Sequence, residues 1–79
     1  MPASGPAPNE QALAVERAAA VRTAVGKLPE DLRAAIVLCE WEERSVAEAA
    51  SILEATPKAV ESRLYRARQI LRERLKNWL

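Results

Sequence analysis

The apolar positions of the chain predict four helices, near residues 9–25, 29–42, 46–54 and 57–77, and no strand. The clearest pattern belongs to the last. Val60, Leu64, Ala67, Leu71, Leu75 and Trp78 stay within about 80° of one another around a helix of ~3.6 residues per turn, an unbroken core stripe. Lys58, Ser62, Tyr65, Arg66 and Gln69 lie opposite it. The first helix is weaker. Asn9 is a good N-cap, but the stripe of Leu13, Ala20, Val21 and Ala24, followed by Leu28, is thin and must lean on something else to be stable. The second helix carries Leu32, Ala35, Ile36 and Cys39 on one face, and Val37, Leu38 and Trp41 on another.

Local signals set the boundaries. "GKLPED" breaks the chain, with Pro29 suited to a first helical position and Glu30 and Asp31 to the positive helix start. "SVAE", from Ser45 to Glu48, is a capping box that opens a short helix with Val46, Ala49, Ala50 and Leu53 inward. Thr56 then caps the last helix and Pro57 is its first residue. A short helix joined that tightly to a long one forms a helix-turn-helix. The expected fold is therefore all-α, a four-helix bundle with a C-terminal helix-turn-helix and no wing. Residues 1–8, rich in Pro, Ala, Ser and Gly, read as a disordered tail or linker, and residues 9–79 as the domain.

Composition narrows the chemistry. The chain has no His and one Cys, so neither a zinc site nor a disulfide framework is expected, and a single thiol fits a reducing cytoplasm. On the stripe of Leu32 and Ile36, Cys39 reads as a buried, inert thiol rather than a redox sensor. No apolar run is long enough for a membrane span, and "MPASGPAP" lacks the basic stretch and apolar core of a secretory signal. There is no Ser/His/Asp set and no Gly-rich phosphate loop, so no enzyme, cofactor or small-molecule substrate is expected.

Charge supplies the direction. The net charge of +1 conceals seven basic against two acidic side chains in residues 57–79, and five against nine in residues 1–56. A basic end on an acidic body suggests an anionic partner approached from one side.

The stretch "LPEDLRAAIVLCEWEERSVAEAASILEATPKAVESRLYRARQILRE", residues 28 to about 73, resembles region 4 of bacterial sigma factors, and most closely the extracytoplasmic-function group. Its strongest parts are "LPEDLRAAIVL", "SVAEAASIL" and "AVESRLYRARQIL", in the right order and spacing. The resemblance implies that the last helix enters the major groove of the minus-35 promoter element, that the RNA polymerase β flap is a partner, and that an anti-sigma factor is a possible inhibitor. Carried over by position, Ser62, Tyr65 and Arg66 match the residues that approach bases and backbone, with Arg63 and Arg68 flanking them. Lys58 shares the face of Ser62 at helical spacing. Val37, Leu38 and Trp41 are the expected partner surface, with packing on the first helix the other reading of Trp41. The family's region 2 has no counterpart in these residues, which points to an excised fragment or a stand-alone module.

The sequence departs from the family pattern at several places. Glu54 stands in the turn where Gly is common, and Glu43-Arg44 stands where Gly and an apolar residue are frequent. Lys58-Ala59 replaces Gly-Thr. Glu61 sits among the cations. Either it reads a cytosine amino group, or it favours the positive helix end and pairs weakly with Lys58. Two other readings of the whole chain remain at this level: the DNA-binding effector domain of a response regulator, and a protein-interaction module with a decayed DNA face. "SRLYRAR" favours the sigma reading over the effector domain.

Overall fold

The computed structural model describes residues 8–78 and is all-α, with no strand among them. Four α-helices follow in order: α1 (Pro8–Gly26), α2 (Glu30–Ile36), α3 (Val46–Ile52) and α4 (Pro57–Arg74). A π turn, Val37–Trp41, extends α2, and a 3-10 turn, Lys76–Trp78, follows α4. No helix among the described residues is long and apolar enough to cross a membrane. The expected tail, residues 1–7, lies outside the described residues. Pro8 itself is helical, so α1 begins one residue before the expected cap.

The central element is α4, which packs against α1, α2 and α3. Its stripe is buried as the periodicity requires: Val60 and Ala67 are fully covered, Leu64 nearly so, and Leu71 and Trp78 are half-buried. Around it the core closes with Val25, Leu28, Leu32, Ala35, Ile36, Ala49 and Ala50. Among the described residues no polar or charged side chain is buried. The core is thus held by apolar burial alone, worth about 1.5–3 kcal/mol for each large aliphatic side chain. Ala49 and Ala50, both buried, let α3 cross close to α4.

The helix ends mostly follow the sequence. Ser45 Oγ accepts from the Glu48 N–H at 3.0 Å while Glu48 Oε1 accepts from the Ser45 N–H at 2.9 Å, the expected capping box. Thr56 Oγ1 accepts from the Ala59 N–H at 3.0 Å, with Pro57 first in the helix. Between α3 and α4 the Ala55 N–H donates to the Ala50 carbonyl and the Glu54 N–H to the Ser51 carbonyl, a Schellman closure. That closure needs a left-handed residue, and Glu54 fills the place at φ 54°. Glu43 does the same at φ 55° where the chain leaves the π turn.

Both ends of α2 differ from expectation. Pro29 is the N-cap of α2 and not its first helical residue: its ψ of 147° is extended. The missing N–H of proline is harmless at either position, so sequence alone does not separate them. The second helix does not stay α-helical to residue 42. After Ile36 it widens, and the Glu42 N–H reaches back to the Val37 carbonyl at 3.0 Å. The wider turn rotates the residues at its end relative to an α-helical projection. Cys39 is accordingly half-buried, not fully buried as expected. Burial still pushes its thiol pKa up, Glu40 adds to the rise, and Arg68 opposes it.

α1 joins the body only through its second half. Ala24, Val25 and the following Leu28 are buried, whereas residues 11–19 are all exposed, Leu13 at 45% and Val15 at 66%. The Arg33 guanidinium ties the helix end down by donating to the Gly26 carbonyl at 3.1 Å. The molecule is long, 52 × 24 × 15 Å, with a radius of gyration of 15.6 Å against about 12 Å for a compact chain of this length.

Candidate nucleic-acid interface

The burial of Val60, Leu64 and Ala67 fixes the rotation of α4 about its axis. It leaves Lys58, Ser62, Tyr65, Arg66 and Gln69 on the opposite side, all exposed. Tyr65 is 65% exposed, although it is the one aromatic of this face. Its hydroxyl accepts a hydrogen bond from Gln69 Nε2 at 2.8 Å. Neither Lys58 nor Arg66 takes part in any of the three ion pairs among the described residues. Both cations are therefore uncommitted on an open helix face. The face can do two kinds of chemistry: a guanidinium can grip a guanine edge or a phosphate in bidentate fashion, and a hydroxyl or ammonium can hold phosphate oxygens.

The flanking arginines are placed differently. Arg63 is half-buried at the edge of the core stripe. Arg68 is exposed, but its guanidinium is paired with Glu40 of the π turn. That partner lies 28 residues away in the chain, in a charge run that reads as a solvated helix end. The tertiary fold, in which α2 packs on α4 and the π turn continues α2, brings the two together. Glu61 is exposed, and the expected pair with Lys58 is not formed.

The expected partner surface divides. Val37 and Leu38 are half-buried against the core, and only Trp41 stands out, 50% exposed. Beside it Ala18, Val21 and Arg22 of α1 complete a cavity of about 430 Å³. A second groove, of about 700 Å³, runs between α1 and the end of α4, with Ala20, Thr23, Leu75 and Trp78 in its wall.

A helix-turn-helix whose long second helix carries an open cationic face also matches a known family. The family described as "Sigma-70, region 4" matches residues 18–71, more than half of the chain. This chain belongs to the sigma-70 region 4 family. No individual curated protein matches it. The matched span starts within α1, near the point where that helix meets the body, and ends within α4. It contains α3, the turn and α4 as far as Leu71, including the face from Lys58 to Gln69. Region 4 is a DNA-binding regulatory domain of sigma-factor transcription initiation, with promoter DNA and RNA polymerase as its partners. In this region 4, α3 and α4 are the first and second helices of the helix-turn-helix.

Proposed function

We propose that this domain reads the minus-35 element of a promoter by seating α4 in the major groove. Lys58, Ser62, Tyr65 and Arg66 face the DNA, and Arg63 and Arg68 hold the backbone on either side. The observation that carries the reading is the rotation of α4: the buried stripe leaves these four residues exposed together, with both cations unpaired. Arg68 reaches phosphate by exchanging Glu40 for it. Exposed ion pairs are worth only ~0–1 kcal/mol, so the exchange is easy. The work belongs in the cytoplasm, where promoter DNA and the core enzyme meet.

The polymerase β flap, or an anti-sigma factor in its place, covers the surface around Trp41. An exposed tryptophan beside a cavity lined by Ala18, Val21 and Arg22 supports that location. Val37 and Leu38 contribute from beneath by holding the π turn in place.

Arg66→Ala tests the DNA reading. If Arg66 reads a base, specific binding weakens by about 1–3 kcal/mol and discrimination relaxes at one position. If it holds phosphate, every duplex weakens alike and the salt slope falls. Unchanged binding to all duplexes rejects the seating of α4. Trp41→Ala tests the partner surface: capture of the isolated flap should weaken while DNA binding is kept, and equal capture rejects the location.

A further inference from the structure

The hydrogen bond between Gln69 and Tyr65 has a direction. Helical side chains lean toward the N-terminus, so Gln69 lies over Tyr65, one turn before it. Its Nε2 donates to the phenol oxygen at 2.8 Å. A phenol has one hydrogen and spare acceptor lone pairs. Gln69 occupies an acceptor position and leaves the hydrogen free. Neither side chain has another hydrogen-bond partner among the described residues, and both are exposed on the face of Lys58 and Arg66.

We infer that Gln69 is a positioning residue that makes Tyr65 an outward hydrogen-bond donor to an acceptor oxygen or nitrogen of duplex DNA. The inference rests on the proposed seating of α4. Accepting one bond polarises the hydroxyl and strengthens it as a donor. Holding the phenol in place also lowers the entropy lost when it engages DNA. Duplex DNA presents suitable acceptors, on phosphates and on the major-groove edges of guanine and thymine. The contact is neutral, unlike those of Lys58 and Arg66. Its loss therefore lowers affinity without changing the dependence on salt, because no counterion release accompanies it.

The test is a double-mutant cycle of Tyr65→Phe and Gln69→Ala. Binding is read by fluorescence anisotropy on a duplex selected from a random pool by the wild-type chain, and on its single-base-pair variants, over a salt series. Tyr65→Phe keeps the ring and should weaken binding roughly fivefold at an unchanged salt slope. Gln69→Ala should weaken it roughly twofold to threefold, and have no further effect once the hydroxyl is gone. Gln69→Glu can only accept from the phenol and so captures its hydrogen; it should weaken binding more than Gln69→Ala, with that excess smaller in the Tyr65→Phe background. Tyr65→Phe weakens all duplexes alike if the acceptor is phosphate, and abolishes discrimination at one pair if it is a base. Wild-type affinity for Tyr65→Phe, or an equal loss from Gln69→Ala with and without the hydroxyl, overturns the inference. Arg66→Ala, run alongside, separates the two levels. If it weakens binding while Tyr65→Phe does not, only the role of the pair fails. If neither does, the seating of α4 fails with it.

Discussion

α1 and α4 are almost the same length, 19 and 18 residues, and the fold uses them in opposite ways. α4 is buried along one side through most of its length, with Val60 and Ala67 at 0% exposure and Leu64 at 4%. α1 is buried only near its end, and every residue from 11 to 19 is exposed. Apolar content does not explain the difference, because α1 is the richer helix, with ten apolar residues of 19 against seven of 18 in α4. α1 spreads Leu13, Val15, Ala18 and Ala19 around its circumference, whereas α4 aligns its apolar residues and leaves the other side to Lys58, Tyr65 and Arg66. Only alignment fixes how a helix is rotated, and only a fixed rotation can present a defined set of side chains to a groove.

The largest effect expected from this contrast comes from paired leucine truncations. Leu64→Ala should destabilise the domain by about 2–5 kcal/mol, which is enough to unfold a marginal small domain. Leu13→Ala should stay within about 0.5 kcal/mol, as exposed substitutions do. Urea unfolding of the two variants checks both, and similar midpoints would erase the contrast. Next comes the platform of α4. Ser45→Ala removes the cap of α3 and should cost about 1 kcal/mol. Amide exchange should quicken in α3 and α4 and stay unchanged in the first half of α1.

Smaller effects lie at two helix ends whose residues look exchanged. α1 ends in Gly26, which has no positive φ and open space around its missing Cβ, and α3 is followed by Glu54, which has a left-handed φ. Gly26→Ala and Glu54→Gly should each raise stability by about 0.5–1 kcal/mol, read as shifts of the thermal midpoint. The smallest effect is an acid one. The Ser45 N–H, donating to the Glu48 carboxylate, lowers its pKa. A carboxylate with a lowered folded pKa contributes stability above its unfolded pKa and loses it as pH falls through the folded value. Wild type should therefore exceed Glu48→Gln at neutral pH, and the gap should close in acid.

Most of the helix-turn-helix was legible in the sequence because its determinants are local. Thr56-Pro57, the Ser45–Glu48 box and the stripe from Val60 to Leu75 each act within a few turns. The outward set on α4 followed from the same stripe. What escaped depends on packing between helices. A π turn at Val37–Trp41 has the same residue types as an α-helical end, so the periodicity overextended α2 and joined Trp41 to Val37 and Leu38. Val25, read as a helix end, is 3% exposed because the chain folds back across it at Leu28. Arg68 was assigned to the flank of the DNA face, and its pairing with Glu40 needs a second helix that no spacing rule supplies. Glu54 was visible as a departure from glycine, and its φ shows that the backbone shape is kept without the residue that suits it.

The exposed setting of Trp41 also has a photophysical consequence. The chain's two tryptophans differ in surroundings: Trp41 is open to water, while Trp78 is half-buried beside Leu75 in the groove along α1. Their emission is therefore heterogeneous, with a red component from Trp41 that a dissolved quencher reaches first and a bluer one from Trp78. A protein settling on the Trp41 side shifts and shields the red component alone. DNA held by α4 changes neither in this way, so one unlabelled sample distinguishes the two kinds of partner by colour.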